Sequence, residues 1–450
     1  MSVRHSISIT AASLLCITLL TQLSALTTNP LISKGKPVFG SPTAPVNLVN
    51  GRFGESAWTA PAGSWVAINL GAGPSKIFVS WNSTNYMWSD AIATPNCPQN
   101  LPVPAAYVIS TSSNSTNGSD GAWTTAVTVT NNSVAARGHL VDFAGASWVK
   151  MSITTGSGTI DEIEVFDASN GFEDSWFFAG TSITSNAFKS PAPQESFAAL
   201  VTKAHSAYTP AIIRGGIGCI NSTDFARDIG LYLQIVGNVR HFCVEMGTND
   251  AWGGTNSGAA AFKANLQRVI DTCNAHNIQP VLARTIATDS AKAKWQVHPD
   301  YLAAIDDLTA SNNLTPGPDL FGYFKAHPAE VPSDGVHPSA TGGASMQRLW
   351  AEAMSPLYTS DGIAQRQEST AFASAFYADI SVTSNKGRMF LKTHSDGQAE
   401  VYDIKGTLLF KKEMKARQGA FVNIKSGFYI VKIAGNNGVL TKPVVFPITQ

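Results

Sequence analysis

The stretch Ser175-Trp-Phe-Phe-Ala-Gly-Thr-Ser182 joins an apolar run to a short turn that carries a serine. The apolar run has the composition of a buried β-strand, and the residues after Ser182 can begin a helix. A serine between a strand and a helix lies at the carboxyl edge of an open α/β sheet, where such sheets place their functional groups. Because Gly-x-Ser turns also occur by chance, the interpretation depends on the surrounding chain.

The surrounding residues 171–358 alternate short apolar runs with helical patterns, which indicates a parallel α/β sheet. Strands are predicted at 175–179, 211–214, 239–246 and 279–284. The clearest helix carries an apolar stripe that we assign to the core, made of Phe262, Leu266, Val269, Ile270 and Cys273.

Two further motifs follow in this region. Gly247-Thr-Asn249-Asp250 closes an apolar run, where the Asn249 amide could donate to a developing oxyanion or simply cap a turn. Asp334-Gly-Val-His337 allows an acid and a base on one turn to converge. Pro338 suits the first turn of a following helix. His298 with Asp300 is a rival base and acid.

In this order and spacing the three motifs resemble the SGNH, or GDSL-type, hydrolase family. The resemblance implies a flavodoxin-like α/β/α sandwich that hydrolyses esters with Ser182 as nucleophile, His337 as general base and Asp334 as its orienting acid. It also implies an oxyanion hole formed by the Ser182 backbone N–H, Gly218 and Asn249. Thr181 stands where the family usually has aspartate, which leaves the triad intact and alters the support of the turn.

Residues 27–169 contain short β-type runs separated by Gly, Pro, Asn and Ser, which predicts a β-sandwich of the jelly-roll type. The runs include 65–70, 76–81, 106–110, 123–129, 148–153 and 160–166. With Asn47-Leu-Val-Asn-Gly51 ahead of them, their order resembles the discoidin-like, coagulation-factor-type galactose-binding sandwich. That resemblance implies a carbohydrate-binding module.

Three aromatic residues in one loop, Trp81, Tyr86 and Trp88, are candidates for sugar binding. Their flat rings could stack on sugars while neighbouring amides bond hydroxyls. The alternative is that they fill the core of the sandwich, as aromatic side chains in a small sandwich usually do.

Both ends of the chain have features that are typical of targeting segments. Residues 1–25 have the cationic start, apolar run and small residue before the cut of a signal peptide, and the run is too short to be preferred as a stable membrane span. After a linker at 359–379, residues 380–450 resemble the C-terminal sorting β-domain of type IX secretion, on Tyr402-Asp-Ile-Lys-Gly406 and Ser426-Gly-Phe-Tyr-Ile-Val-Lys432. The resemblance implies secretion machinery as a partner, and another accessory β-domain is the alternative.

The composition excludes some partners and leaves others open. With a formal net charge of +0 no basic surface dominates the molecule, so we do not expect nucleic acid as a partner. No cysteine or histidine cluster has metal-ligand spacing, so we expect no cofactor for catalysis, and a structural calcium in the first sandwich is possible but unassigned. Four cysteines remain after the signal peptide, at 97, 219, 243 and 273, and a bridge among the last three is expected unless the thiols are free and buried.

Together these features predict a secreted or cell-surface serine esterase that hydrolyses O-acyl groups, most simply O-acetyl groups, on an acylated polysaccharide or oligosaccharide. One alternative is a lipase or general esterase with the same triad. Another is a surface glycan-binding protein with a degenerate hydrolase domain. Transfer of the acyl group to a sugar instead of water is also open.

Overall fold

The structure is a computed structural model. It describes residues 26–44, 46–52, 58–83, 103–189, 196–237, 239–358, 380–385, 388–393, 397–403, 407–415, 419–422, 427–435 and 438–446. The described residues from 26 to 358 form one compact unit, and those after 379 belong to a second.

One long strand connects the strands of the N-terminal region. Its first half pairs with two neighbours and its second half with two others, all antiparallel, and buried side chains from both groups form one apolar core. We predicted two strands at 148–153 and 160–166; the structure shows a single strand that continues through Gly156. The described strands are β1 (Val38–Ser41), β2 (Trp58–Pro61), β3 (Trp65–Asn69), β4 (Lys76–Ser83), β5 (Pro104–Ser112), β6 (Thr124–Val129), β7 (Ala136–Asp142) and β8 (Trp148–Asp167).

Trp81 belongs to this core. Its side chain is only 2% exposed, and its ring packs edge-on against Tyr107 with 5.5 Å between centroids. The prediction that Trp81 stacks on a sugar is therefore wrong, because a ring buried between strands has no face left for a ligand. Tyr86 and Trp88 lie outside the described residues.

Residues after β8 form the predicted parallel sheet with helices between its strands. Its described strands run in the order β10-β9-β11-β12-β13. The elements are β9 (Ser175–Gly180), α1 (Ser182–Lys189), α2 (Phe197–Ala204), β10 (Ala211–Gly216), α3 (Ser222–Arg227), α4 (Ile229–Val236), β11 (His241–Glu245), α5 (Ala259–Ala275), β12 (Gln279–Arg284), α6 (Ser290–Ala293), α7 (Pro299–Ser311), β13 (Pro316–Asp319), α8 (Leu320–Ala326) and α9 (Ala340–Met354).

The four predicted strands and the apolar stripe of α5 are confirmed, since all five stripe residues are buried. Strand β13 was missed because Pro-Gly-Pro-Asp has no apolar alternation, and it pairs only with β12 at the edge of the sheet. Pro338 does not lie in the first turn of α9. The helix begins after Ser339, whose side chain accepts the Gly342 N–H as an N-cap.

The N-terminal strands and the parallel sheet share apolar core residues. Phe78 stacks on Phe172 with 4.3 Å between ring centroids, and both belong to the cluster that packs on one face of the parallel sheet. The two regions also meet in an ion pair, in which Arg214 of β10 lies 3.7 Å from Glu164 of β8. Burial raises the pKa of Glu164, and burial with the neighbouring Glu164 charge raises that of Glu162 to about 9.

The second unit consists of two antiparallel sheets within the described part of residues 380–446. One has the order β14-β15-β18 and the other β17-β16-β19-β20. Its strands are β14 (Ile380–Asn385), β15 (Arg388–Thr393), β16 (Gly397–Asp403), β17 (Leu408–Met414), β18 (Gly419–Val422), β19 (Gly427–Gly435) and β20 (Gly438–Phe446). Among the helices of the described residues, none is long and apolar enough to cross a bilayer.

The cysteines differ from the expected bridge. Cys219 is disulfide-bonded, whereas Cys243 and Cys273 are free and buried. No bridge therefore joins any two of these three residues. Burial raises the pKa of both free thiols, to about 12 for Cys273, so neither is poised to react as a thiolate.

Candidate active site

The carboxyl ends of three neighbouring strands meet at one point of the sheet. Gly180 of β9 pairs with Gly216 of β10 on one side and with Glu245 of β11 on the other. Each strand is followed within four residues by a predicted site residue, namely Ser182, Gly218 and Asn249. The parallel register thus brings these separate segments to the same edge, as predicted.

Ser182 is the first residue of α1, directly after the turn that leaves β9. Its Oγ lies 2.8 Å from Nε2 of His337, which is 155 residues away in the chain. The N–H groups in the first turn of an α-helix have no acceptor within the helix, so the Ser182 N–H can face a ligand. Gly216 allows α1 to approach this closely, because a Cβ there would overlap the backbone of Ser185.

His337 is held by Asp334 in one turn before α9. Nδ1 of His337 lies 2.7 Å from Oδ2 of Asp334, while Oδ1 of Asp334 accepts the backbone N–H groups of Val336 and His337, each at 2.9 Å. Gly335 between them has φ +79°, a conformation that favours glycine. The carboxylate thus fixes both the turn and the ring.

The charge state of Asp334 suits this role. Partial burial raises its pKa, but the hydrogen bonds from His337 and Val336 have the larger, opposite effect and lower the pKa to about 2. Asp334 is therefore ionised across the ordinary working range and can stabilise a positive charge on the imidazole. Its side chain is 49% exposed and that of His337 35% exposed, so the described chain leaves this edge open.

Asn249 is fixed by the turn that follows β10. Its amide nitrogen donates to the Ile220 carbonyl oxygen at 2.7 Å, which uses one of its two hydrogens and orients the amide plane. The other hydrogen can serve a ligand. Gly218 lies in the same turn, which begins where the Ile217 N–H donates to the Gly180 oxygen at 2.9 Å. Both predicted oxyanion-hole positions therefore belong to connected loops at this edge.

A buried carboxyl group that the sequence interpretation missed lies beneath the serine turn. Glu245 is 1% exposed, and its Oε2 accepts the hydroxyls of Thr181 at 3.3 Å and Thr184 at 3.1 Å. Burial raises its pKa to about 7, against the lowering effect of these hydrogen bonds. In the sequence, only the place of Glu245 at the end of a strand could have indicated that it accepts hydrogen bonds from the serine turn. Thr181 thus has a defined partner.

The rival pair has a different role. Nδ1 of His298 accepts the Asp300 backbone N–H at 3.3 Å and caps the amino terminus of α7. A histidine that caps a helix is explained by that contact alone. Among the described histidines, His337 is the one whose ring lies within hydrogen-bond distance of Ser182 Oγ.

No protein-family model matches the chain, and no curated protein matches it significantly. Several solved structures are similar to part of this chain. One is the lipase/acylhydrolase from Enterococcus faecalis, at 20% identity over 40% of this chain and 95% of that one, with a TM-score of 0.34. The acetyl xylan esterase AlAXEase shares 22% identity over 40% of this chain and 97% of that one, with a TM-score of 0.31. A Bacillus subtilis protein is matched over 67% of this chain and 88% of that one, at 14% identity and a TM-score of 0.37.

Proposed function

We propose that this protein is a secreted serine esterase that removes O-acyl groups, O-acetyl above all, from carbohydrate. The observation that carries the proposal is the continuous chain of contacts from Ser182 Oγ to His337 Nε2 at 2.8 Å and from His337 Nδ1 to Asp334 Oδ2 at 2.7 Å. A nucleophile, a base and an orienting acid in this geometry are the requirements of acyl transfer.

In the first half-reaction, His337 takes the Ser182 proton while Oγ attacks the ester carbonyl. The resulting oxyanion is stabilised by the N–H groups of Ser182 and Gly218 and the amide of Asn249. The imidazolium then donates its proton to the ester oxygen of the sugar, which leaves as a hydroxyl as the carbon–oxygen bond breaks. Asp334 stabilises the cation and keeps Nδ1 protonated.

In the second half-reaction, His337 deprotonates a water molecule that attacks the acyl-enzyme. The same three donors stabilise the second tetrahedral intermediate, and Ser182 leaves with the proton returned by His337. The exposed Asp334 and His337 side chains suit a substrate too bulky to enter a closed pocket.

The assignment to the outside of the cell and to carbohydrate rests on the sequence. It draws on the signal-peptide pattern of residues 1–25, the resemblance of residues 27–169 to a galactose-binding sandwich and that of residues 380–450 to a type IX sorting domain. The disulfide at Cys219 agrees with export, because such bonds persist in oxidising compartments.

The catalytic part of the proposal is tested with Ser182→Ala and Asp334→Asn on p-nitrophenyl acetate. We expect Ser182→Ala to abolish turnover and labelling by a fluorophosphonate, while Asp334→Asn lowers kcat about 10²- to 10⁴-fold because the ring loses its orienting anion. Ser311→Ala, an exposed serine at the far end of α7, is the matched control. A Ser182→Ala protein with near-normal turnover would refute the triad, and an unlabelled wild type would indicate a degenerate hydrolase.

The substrate class is tested separately. Acetate release from an O-acetylated oligosaccharide is compared with hydrolysis of a long-chain lipid ester by the same preparation. The proposal expects the larger kcat/KM for the oligosaccharide. A preference for the lipid ester would replace it with a lipase or general esterase that uses the same triad, and acetyl sugars formed in place of free acetate would indicate transfer.

A further inference from the structure

Two tryptophans lie on loops at the same edge of the sheet as the triad. Trp252 follows Asn249 by three residues and is 57% exposed, which is unusual for so large an apolar side chain. Its ring contacts that of Trp295, on the loop between α6 and α7, with 5.1 Å between centroids and 51° between planes. Trp295 is partly buried and packs against the apolar core, so its contact with Trp252 connects the exposed ring to that core.

The loop that carries Trp252 is held in place. The Ala251 N–H donates to the Gly247 oxygen at 2.8 Å, and the Gly254 N–H donates to the Ala251 oxygen at 2.8 Å. The Tyr301 hydroxyl donates to the Asp250 carbonyl oxygen at 2.9 Å. Three residues span at most about 11 Å, so Trp252 cannot lie far from Asn249. The backbone of Trp252 is therefore held close to the proposed oxyanion hole.

The loop that carries Trp295 is tied to the triad. Oε1 of Gln296 accepts the Thr288 N–H at 2.9 Å, and its Nε2 donates to the Thr288 oxygen at 2.8 Å, which closes the loop. The Asp289 N–H donates to the Gly335 oxygen at 2.7 Å, inside the turn that holds Asp334 and His337. The rings and the triad thus belong to one connected set of loops.

The surroundings of Trp252 favour a sugar over an acyl chain. Thr255, Asn256 and Ser257 follow it in sequence, and they carry hydroxyl and amide groups on an exposed stretch. A pyranose ring has an apolar face of C–H groups and a rim of hydroxyls, which match a flat aromatic ring with polar neighbours. An acyl chain would require a continuous apolar groove, whereas Trp252 is the one large hydrophobic residue recorded as exposed among the described residues of the α/β region.

We propose that Trp252, supported by Trp295, is a stacking platform that holds a sugar ring of the acylated saccharide while Ser182 attacks its ester. This inference rests on the esterase function proposed above and deepens it, because it assigns the recognition of carbohydrate to the catalytic region. It requires no sugar contact from the N-terminal strands.

The test compares Trp252→Phe, Trp252→Leu and Trp252→Ala on two substrates, an O-acetylated gluco-oligosaccharide and p-nitrophenyl acetate. Phenylalanine keeps a flat ring, whereas leucine keeps apolar area without one. We expect the ratio of kcat/KM for the oligosaccharide to kcat/KM for the small ester to fall about tenfold in the leucine and alanine variants through a higher KM, and to stay within about threefold of wild type in the phenylalanine variant.

The outcomes separate the two proposals. A wild type that hydrolyses neither ester refutes the esterase function itself. A wild type that hydrolyses both, with a substrate ratio that the leucine variant leaves unchanged, refutes the platform alone. A leucine variant that equals phenylalanine while alanine fails would indicate an acyl-chain contact and would also overturn the platform. Val46→Ala, an exposed apolar residue of the N-terminal region, is the control for lost surface area.

Discussion

The Thr181 hydroxyl lies 3.3 Å from Oε2 of Glu245, and the Ile183 N–H in turn donates to the same hydroxyl oxygen at 3.2 Å. The residue directly before the proposed nucleophile is thus tied both to a buried carboxyl group of the next strand and to the first turn of α1. Thr181 is fully buried, so these contacts are shielded from water.

Thr181→Val tests whether this hydroxyl positions Ser182. The shape is kept while both hydrogen bonds are lost, so we expect kcat to fall about tenfold, equivalent to about 1.4 kcal/mol, with KM unchanged. Thr181→Ser should restore kcat because it keeps the hydroxyl. An equal loss in the serine and valine variants would mean that packing, and not the hydrogen bonds, supports the turn.

Glu245→Gln should change how stability depends on pH. Because burial raises the Glu245 pKa to about 7 in the folded state, from 4.5 ordinarily, the folded protein binds this proton more tightly than the unfolded chain. Its contribution to stability is complete below pH 4.5 and is lost as the pH rises through 7. We therefore expect the free energy of unfolding of Glu245→Gln, relative to that of wild type, to increase by about 3 kcal/mol between pH 4 and pH 8.

Thermal unfolding midpoints of the two proteins at several pH values provide the measurement. Glu162 and Glu164 also have raised pKa values, but they are present in both proteins and cancel in the comparison. Glu352→Gln, at an exposed site, is the control. Parallel curves for wild type and Glu245→Gln would contradict the prediction.

Asn249→Ala should lower kcat about 100- to 1,000-fold, which corresponds to about 2.7–4 kcal/mol for one oxyanion donor. KM should change little because the donor acts mainly on the charge of the transition state. Steady-state kinetics on p-nitrophenyl acetate measures both. Asn274→Ala, on the exposed side of α5, should match wild type. A variant of Asn249 with raised KM and normal kcat would assign it to ground-state binding instead.

Arg214→Met should destabilise the unit that contains the N-terminal strands and the parallel sheet. The Arg214 side chain is 15% exposed and Glu164 is 5% exposed, so removal of the cation leaves a buried carboxylate without its counter-charge. We expect a loss of about 3–5 kcal/mol, measured by thermal unfolding. Arg214→Met combined with Glu164→Leu should recover part of it. A double variant less stable than the single one would show that Glu164 depends on other partners.

Much of the α/β region could be predicted because its determinants are local. Strands β9 to β12 are buried apolar runs, and the stripe of α5 repeats at helical spacing. Strand β13 could not be predicted in this way because Pro-Gly-Pro-Asp is extended only through its pairing with β12. The continuity of β8 through Gly156 likewise depends on partners from distant parts of the chain.

The close approach of Ser182, His337 and Asp334 could be predicted because each stands in a motif that follows a recognisable strand or precedes a helix. The register of the sheet places Ser182 at its carboxyl edge, and the turn before α9 brings His337 to within 2.8 Å of it. Trp81 was misassigned because sequence does not show which face of β4 is covered. Glu245 and Trp252 were not singled out for the same reason, since the burial of one and the exposure of the other are consequences of tertiary packing.

The shared packing of Phe78 and Phe172 limits how this protein can be divided for engineering. A fragment cut at residue 170 would leave Phe78 and Phe166 facing water instead of the apolar cluster of the parallel sheet. Such a fragment would be prone to aggregate, and transplanting it onto another enzyme would require polar replacements at both positions. A domain with a self-contained core could be exchanged freely, whereas the N-terminal strands share their core with the parallel sheet and stabilise it.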